Sequence, residues 1–448
     1  MLYCQHVLGI GHFFRGMAIA RALAGHDVLF VEGGEPLKGF DPPAHVKRLF
    51  LPPLMMDPEF DHLQARSVDL DGVKAARKEL LLEAFKTFAP HVLLTELFPF
   101  GRNQFRFELI PLLEGIRAEK WPTQVLCSLR DILVEKPDQA AYEERVLGRL
   151  NDFYDAILVH SDPRVFSLQD TFSRVAAIRP PIHYTGYVAR EVPAELPRAE
   201  SGVRFSGHHS GHHPVALSRA NSPLEGGRGV SCRGQSYGPG ETPPCPPQGG
   251  NSDKGFCRDL LEAPSSGRTI VVSAGGGRVG ADLLSACIRA MERLPDPDLR
   301  MRLFLGPFIE ETDRSSVEAL AAKDPRTTLR PFAPDFVAEL RSAALSISMA
   351  GYNTCMDLLT AHTRALVYPF PQNREQAMRA AKLEGLGVVR VLRSLDPDAL
   401  GDAVMEALSD PSQAISVPIA MNGAETSARL VERYAYTAAE SGVADVTP

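Results

Sequence analysis

The chain has 448 residues and a formal net charge of −7, which is enough sequence for two domains of ordinary size. Its acidic balance argues against a nucleic-acid partner, and no apolar run reaches the roughly 18–20 residues that a membrane helix needs. The first residues lack the features of a secretory signal, and the seven scattered cysteines form no Cys-x-x-Cys pair. We therefore expect a cytoplasmic protein with reduced thiols.

The N-terminal half opens with a predicted strand at 2–8, a glycine turn and a helix at about 14–24. The turn reads GIGH and ends at His12, but Phe14 stands where a dinucleotide-binding loop has its third glycine. A dinucleotide site is therefore disfavoured. Residues 42–53 show no periodicity and predict an irregular connection.

Polar side chains follow the next predicted strand, at 91–95, directly where it stops. Glu96, Arg102 and Asn103 then lie at the carboxyl end of a strand, where open α/β sheets bind their ligands. A carboxylate in that position can bind an acceptor hydroxyl or act as a base. It can also be a surface carboxylate paired with Arg102 or Arg106, and the sequence leaves both alternatives open.

The middle of the chain, from about 201 to 255, is crowded with Gly, Pro, Ser and His and shows no helical or strand period. It lacks the apolar residues that would offset its chain entropy, so we expect a disordered insertion. Its histidines and cysteines could suggest zinc, but the spacings of a structural zinc site are missing. We expect no metal site there.

The C-terminal half begins with a predicted strand at 269–273 and a glycine-rich loop before a helix near Ala281. Backbone amides of such a loop can cradle a phosphate, although a tight turn needs the same glycines. The candidate phosphate-binding residues are Ser273, Gly275, Gly276 and Gly277.

The stretch from 346 to 381 predicts strand, glycine turn, helix, strand, loop and helix, the alternation of a doubly wound sheet. Asp357 lies on the first helix of this unit, where it could accept hydrogen bonds from a ribose or simply complement the helix dipole. The candidate donor-binding residues share positions at the two strand ends: Ser348, Gly351, Asn353, Thr354, Asp357, Gln372, Asn373, Glu375 and Gln376.

SMAGYNTCMD, followed by PFPQNREQ, resembles the donor-binding region of nucleotide-sugar glycosyltransferases with the GT-B fold. The resemblance is closest to the peptidoglycan N-acetylglucosaminyltransferase (MurG-like) group and to related bacterial "predicted glycosyltransferases". It implies an α/β protein with two Rossmann-like domains facing across a cleft. The implied boundaries are an acceptor domain at 1–195, the insertion at 196–264, a donor domain at 265–437 and a tail at 438–448.

GIGHFFRGMAIARAL resembles the N-terminal glycine loop of the same enzymes, which makes His12 a candidate acceptor-side base and Gly11 a donor-side contact. Glu96 is the second candidate base. Arg190 fits an arginine that reaches the diphosphate, although Tyr187-Val188 replaces the usual Asn-Pro. Asp357 stands where the family has an acidic residue on the ribose. Gln376 matches a glutamine on the donor sugar, and Glu375 replaces a neighbouring glutamine.

The implied activity is the inverting, metal-independent transfer of a sugar from a nucleoside-diphosphate sugar, with UDP as the favoured nucleotide. The acceptor would be a glycan, a lipid-linked molecule or a small molecule. The nucleotide sugar is the substrate, and no cofactor is expected. Membrane association is expected to be peripheral at most. Two alternatives stay open: a nucleotide-sugar 2-epimerase or hydrolase of the same fold, and a non-catalytic protein that binds sugar nucleotides. Turnover of the sugar nucleotide without any acceptor would distinguish an epimerase or hydrolase from a transferase.

Overall fold

The computed structural model describes residues 1–5, 11–34, 40–56, 63–65, 69–189, 268–276, 279–306, 308–331, 333, 335–409 and 419–444. Within these ranges the chain forms one compact unit that is built on two parallel sheets, one in each half of the sequence. The predicted insertion at 196–264 lies outside the described residues, as do Arg190 and Gly277.

The N-terminal lobe has a seven-stranded parallel sheet in the order β3-β2-β1-β6-β7-β8-β9. Its central strands are buried on both faces, as expected where helices cover both sides of a parallel sheet. The sheet strands are β1 (Leu2–Cys4), β2 (Val28–Glu32), β3 (Val46–Phe50), β6 (Val92–Glu96), β7 (Gln124–Arg130), β8 (Ala156–His160) and β9 (Ile182–Tyr184), and an antiparallel pair is formed by β4 (Leu54–Met56) and β5 (Leu63–Ala65).

Two helices of this lobe begin at an aspartate that caps them. The carboxylates of Asp69 and Asp138 accept hydrogen bonds from the amides of Gly72 at 2.8 Å and Ala141 at 3.0 Å. Each cap satisfies an amide that would otherwise lack a partner at the start of the helix. The helices are α1 (Gly11–Ala22), α2 (Leu70–Phe88), α3 (Arg106–Ala118) and α4 (Gln139–Phe153).

The C-terminal lobe has a six-stranded parallel sheet in the order β12-β11-β10-β13-β14-β15. Its strands are β10 (Thr269–Ser273), β11 (Arg300–Phe304), β12 (Thr327–Arg330), β13 (Leu345–Met349), β14 (Ala365–Tyr368) and β15 (Arg390–Val391). Its helices are α5 (Ala281–Arg293), α6 (Glu311–Ala321), α7 (Phe336–Ser342), α8 (Tyr352–Ala361), α9 (Arg374–Gly385), α10 (Pro397–Ser409) and α11 (Gly423–Ala444). Because β10 and β13 are neighbours, the loops that follow them lie side by side.

The last helix, α11, packs on the N-terminal lobe and not on the lobe that precedes it in sequence. Its buried Ala424, Ala428 and Val431 join a core cluster with residues of α1 and the first sheet. The Tyr434 hydroxyl lies 3.1 Å from Nε2 of His183 on β9. This helix continues past the predicted start of the tail at 438 to Ala444, and Ala438 is buried.

A buried ionic cluster lies beside β1 in the N-terminal lobe. Arg77 donates to the Glu108 carboxylate at 2.8 Å and 2.6 Å, and to the Gln5 side-chain oxygen at 2.8 Å. The Tyr3 hydroxyl donates to the same carboxylate. Charged groups are tolerated at this depth only when their hydrogen-bonding positions are filled, as they are here. The end of β1, which leads toward His12, is therefore held rigidly.

Candidate active site

His12 and Glu96 meet although 84 residues separate them in sequence. His12 lies in the first turn of α1, and Glu96 is the last residue of β6. The His12 Nδ1 atom lies 2.9 Å from Glu96 Oε1, with side-chain exposures of 15 % and 2 %. The alternative that Glu96 is a surface carboxylate paired with Arg102 or Arg106 is therefore wrong. Arg102 instead donates from Nε to the Gln5 carbonyl at 2.9 Å.

The pairing with Glu96 fixes which nitrogen of His12 carries the hydrogen. Glu96 also accepts from Arg15 and from the Ser128 hydroxyl, as an ionised carboxylate does. Because an ionised carboxylate cannot donate, His12 Nδ1 must carry the hydrogen. Arg15 Nη2 also lies 2.9 Å from Nδ1, and both N–H groups serve the same carboxylate. The Nε2 atom of His12 is then left with its lone pair, as a proton acceptor requires.

The electrostatic surroundings keep His12 neutral and Glu96 ionised. Burial, followed by the nearby charge of Arg102, lowers the pKa of His12 to about 3. Burial alone would raise the pKa of Glu96, but Arg15 and the hydrogen bond from His12 outweigh it and hold that pKa well below its usual range. At neutral pH the pair is thus a neutral imidazole bonded to a carboxylate.

The lowered histidine pKa values predict acid destabilisation in a defined window. His160, fully buried at the end of β8, also has its pKa lowered to about 3, chiefly by burial. Below pH 6.5 the unfolded chain binds protons at His12 and His160 that the folded state does not, so stability falls as pH falls from about 6.5 toward 3. Each histidine is expected to contribute a slope of about 1.4 kcal/mol per pH unit there. Urea denaturation at pH 7 and pH 5 measures this, and His160→Gln should lose less stability between these pH values than wild type. An equal loss would contradict a neutral buried His160.

The C-terminal lobe forms the opposite wall of the site. The Tyr352 hydroxyl donates to the His160 carbonyl at 3.2 Å and accepts from the Val188 amide at 3.3 Å. The Arg15 guanidinium lies over the Tyr352 ring, 5.1 Å from its centre. A Cβ atom on Gly11 would collide with the Asn353 side-chain amide. Gly11 is therefore needed because the start of α1 approaches the start of α8 so closely.

A small pocket lies between these walls and brings two predicted residues, Asn353 and Asp357, next to the N-terminal lobe. The N-terminal lobe lines it with Phe14, Arg15, Val188 and Ala189, and the C-terminal lobe with Asn353, Met356 and Asp357. Asp357 is 2 % exposed and reaches this pocket from the second turn of α8. The donor-side candidates Asn353 and Asp357 thus face α1 directly.

The two glycine loops of the C-terminal lobe converge on Thr354. Its hydroxyl oxygen lies 3.8 Å from the position of a Cβ on Gly275 and 4.0 Å from one on Gly351. Gly275 has φ +68° and donates its amide to the Ser273 hydroxyl at 3.1 Å, while the Gly276 carbonyl accepts from Phe308 at 3.0 Å. Helix α8 starts directly after Gly351. Such an arrangement of amides and hydroxyls suits a phosphate.

Four other predicted donor-side residues lie outside the lining of this pocket. The Asn373 side chain caps α9 by accepting from the Gln376 amide at 3.1 Å, and Gln376 Oε1 accepts from the Phe370 amide at 3.0 Å. Gln372 is exposed in the same loop. Ser348 is fully buried inside β13, and its hydroxyl has no partner among the described residues. Ser348 therefore does not line the pocket.

Glu375 belongs to an ionic network between the lobes that the sequence did not indicate. Its carboxylate lies 2.8 Å from Arg379 and 2.5 Å from Arg130 of β7. Arg379 also donates to both oxygens of Asp131, at 3.0 Å and 2.8 Å, and to the Ala350 carbonyl at 3.0 Å. The Glu375 carboxylate is thus engaged by arginines, and its contact with a donor sugar stays a prediction.

Within the described part of the chain, no group of three or more His, Cys, Asp or Glu residues could hold a metal ion. None of the helices described is long and apolar enough to cross a membrane.

The comparison with protein families decides what the C-terminal lobe is. Residues 269–434 match the model of the glycosyltransferase family 28 C-terminal domain. The protein is a glycosyltransferase with the GT-B fold. A search of curated proteins finds no match to this glycosyltransferase.

Solved structures agree with this fold over nearly the whole chain. The MurG structure from Acinetobacter baumannii is 14 % identical, with a TM-score of 0.52 and coverage of 96 % of this chain and 99 % of the other. The calicheamicin glycosyltransferase CalG4 is 15 % identical, with a TM-score of 0.51 and coverage of 100 % and 98 %. A putative UDP-N-acetylglucosamine 2-epimerase from Listeria monocytogenes is 12 % identical, with a TM-score of 0.57 and coverage of 98 % and 96 %. At these identities the likeness establishes the fold of the glycosyltransferase, two α/β lobes with parallel sheets.

Proposed function

We propose that this glycosyltransferase moves a sugar from a nucleoside-diphosphate sugar to an acceptor hydroxyl, with inversion and without a metal. UDP is the favoured nucleotide of the donor. The observation that carries the proposal is the His12–Glu96 pair, a neutral imidazole whose Nε2 is not used in the bond to Glu96. His12 lies on the same helix as Phe14 and Arg15, which line the pocket together with Asn353 and Asp357. The acceptor is a glycan, a lipid-linked sugar or a small molecule, and the reaction takes place in the cytoplasm.

The proposed step is a direct displacement at the anomeric carbon. His12 Nε2 takes the proton of the acceptor hydroxyl while the oxygen forms a bond to that carbon. The bond from carbon to the diphosphate oxygen breaks, and its electron pair leaves with the nucleoside diphosphate. Glu96 stabilises the imidazolium that forms, because it already accepts the Nδ1–H hydrogen bond. The proton and the charges are thereby balanced.

The donor's diphosphate would lie against the glycine loops near Gly275 and Gly351, where amides and the Thr354 hydroxyl support negative charge. Arg190 remains a proposed phosphate contact. The pocket is smaller than the roughly 300–1,000 Å³ that enclosed ligand sites occupy. We therefore propose that the lobes separate at Gly11 and Asn353 to admit the donor.

Donor binding is expected to raise the melting temperature by mass action, and Asp357→Ala is expected to abolish that rise. The Asp357 carboxylate is proposed to accept from the ribose hydroxyls, so its loss removes donor affinity. A thermal-shift panel of UDP-, GDP- and dTDP-sugars measures this rise and identifies the nucleobase of the donor. Asp402→Ala, an exposed position on α10, is the matched control and should keep the full shift. If no sugar nucleotide raises the melting temperature of the wild-type protein, the proposal is wrong.

A 2-epimerase or hydrolase is the second candidate, and the structural likeness to the putative 2-epimerase favours it. Such an enzyme would consume the sugar nucleotide without any acceptor. Incubating the donor alone separates the two, because a transferase should release little nucleoside diphosphate until an acceptor hydroxyl is added. Rapid release or a new epimer in the donor-only sample would support the second candidate.

A further inference from the structure

A line of buried polar side chains continues from Glu96 away from the pocket. The Ser128 hydroxyl contacts Glu96 Oε2 and lies 2.8 Å from His160 Nε2. The other ring nitrogen of His160, Nδ1, lies 2.9 Å from the Thr185 hydroxyl. All four side chains are at most 2 % exposed. We call Glu96, Ser128, His160 and Thr185 the buried polar network.

The positions of the Ser128 and His160 hydrogens in the buried polar network follow from the charge of Glu96. Since the carboxylate can only accept, the Ser128 O–H must point to it. The Ser128 oxygen then accepts from His160, which places the ring hydrogen on Nε2. His160 Nδ1 is left as an acceptor beside the Thr185 hydroxyl, which also donates to the Gly186 carbonyl at 2.9 Å. No step needs a charged His160, and each polar atom has a partner of the right kind.

The network joins three parallel strands at the place where they end. Glu96 of β6 stands opposite Ser128 of β7, and His160 of β8 stands opposite Arg130. Its far end reaches the C-terminal helix, because the Ser427 hydroxyl of α11 lies 3.5 Å from His160 Nδ1. From the other side, the Tyr352 hydroxyl donates to the His160 carbonyl. Both lobes thus constrain His160.

We propose that Ser128 and His160 are positioning residues that hold the Glu96 carboxylate, and through it the His12 ring, in the orientation that sugar transfer needs. The proposal rests on the proposed function for its kinetic consequence, and on hydrogen-bond geometry and the ionised Glu96 carboxylate for its hydrogen positions. Misplacing a general base by a fraction of an ångström slows a reaction without weakening substrate binding. Neither residue lines the pocket, so neither touches substrate.

The test compares Ser128→Ala with Ser128→Thr, which keeps the hydroxyl, and with Thr95→Val. Thr95 is the residue before Glu96 on β6, and its buried hydroxyl bonds to Tyr154 and the Phe98 carbonyl, outside the network. Ser128→Ala is expected to lower kcat roughly 10–100-fold, with the donor KM unchanged within about twofold. Thr95→Val and Ser128→Thr are expected to stay close to wild type.

Long-range ¹H–¹⁵N spectra of histidine-labelled protein supply a readout that needs no activity. The wild type should show a neutral Nδ1–H tautomer for His12 and a neutral Nε2–H tautomer for His160, assigned with His12→Asn and His160→Gln. Ser128→Ala should lose the single His160 tautomer, and Thr95→Val should keep it. An Nδ1–H tautomer at His160 in wild type, or a Ser128→Ala kcat equal to that of Thr95→Val, overturns the proposal. If wild type transfers no sugar, the proposed function fails, and the spectra still decide the hydrogen positions.

Discussion

Replacing His12 by asparagine is expected to lower kcat for sugar transfer by about 10²–10⁴ while leaving donor binding intact. The asparagine amide can occupy the place of Nδ1 and keep the hydrogen bond to Glu96, but it offers nothing at the position of Nε2. The loss therefore isolates proton transfer from the architecture of the site. Release of nucleoside diphosphate in the presence of acceptor measures the rate, and the thermal shift by the donor measures binding.

His26→Asn is the matched control, since His26 lies just beyond α1 and its side chain is half-exposed against Glu432. It should retain wild-type kcat. A His12→Asn enzyme within about threefold of wild type would show that His12 is not the base. A loss of the donor-induced thermal shift in the same variant would instead mean that His12 serves binding.

Replacing Arg379 by methionine is expected to lower the free energy of unfolding by about 3–5 kcal/mol. The methionine leaves the Asp131 carboxylate buried between the lobes without its cation, because the residue that paired with both of its oxygens is gone. Glu375 keeps only Arg130. Urea denaturation at pH 7 measures the change, which would be a large share of the 5–15 kcal/mol typical of a folded protein.

Two further variants separate an unpaired buried charge from lost packing. Adding Asp131→Asn to Arg379→Met removes the uncompensated charge and should recover a substantial part of the lost stability. Arg393→Met breaks an exposed pair with Glu384 and should cost less than about 1 kcal/mol. If Arg379→Met costs no more than Arg393→Met, the network between the lobes contributes nothing to stability.

Much of the fold could be predicted because its strands are apolar runs that end in polar residues. The strand at Thr269–Ser273 was predicted with its observed bounds. Strand β3 was missed because its sequence, VKRLF, lies at the sheet edge and carries two charges in place of an apolar run. Pairing with β2 makes it a strand, and Arg48 on it joins Glu32 of β2.

The site was only half predictable for a related reason. Glu96 was found because it stands at the end of a strand, where side chains point into a cleft, and His12 was found through the resemblance of its glycine loop to the family. Their partners Arg15 and Ser128 carry no local signal, since only the register of β6 against β7 brings Ser128 to Glu96. The same holds for Arg379, whose partner Asp131 lies 248 residues away in sequence.

The docking of α11 on the N-terminal lobe has a consequence for synthesis of the protein. The apolar face that Ala424, Ala428 and Val431 cover leaves the ribosome with α1, long before these residues are made. Roughly 230 residues separate Ala189 from Gly423, so at 5–20 residues per second the face stays bare for roughly 10 to 50 s. During that interval the nascent N-terminal lobe is a natural client for chaperones, and His160 lacks its neighbour Ser427. The complete site forms only after α11 has been synthesised. A prematurely terminated chain would therefore carry the His12–Glu96 pair without the contact between His160 and Ser427 of α11.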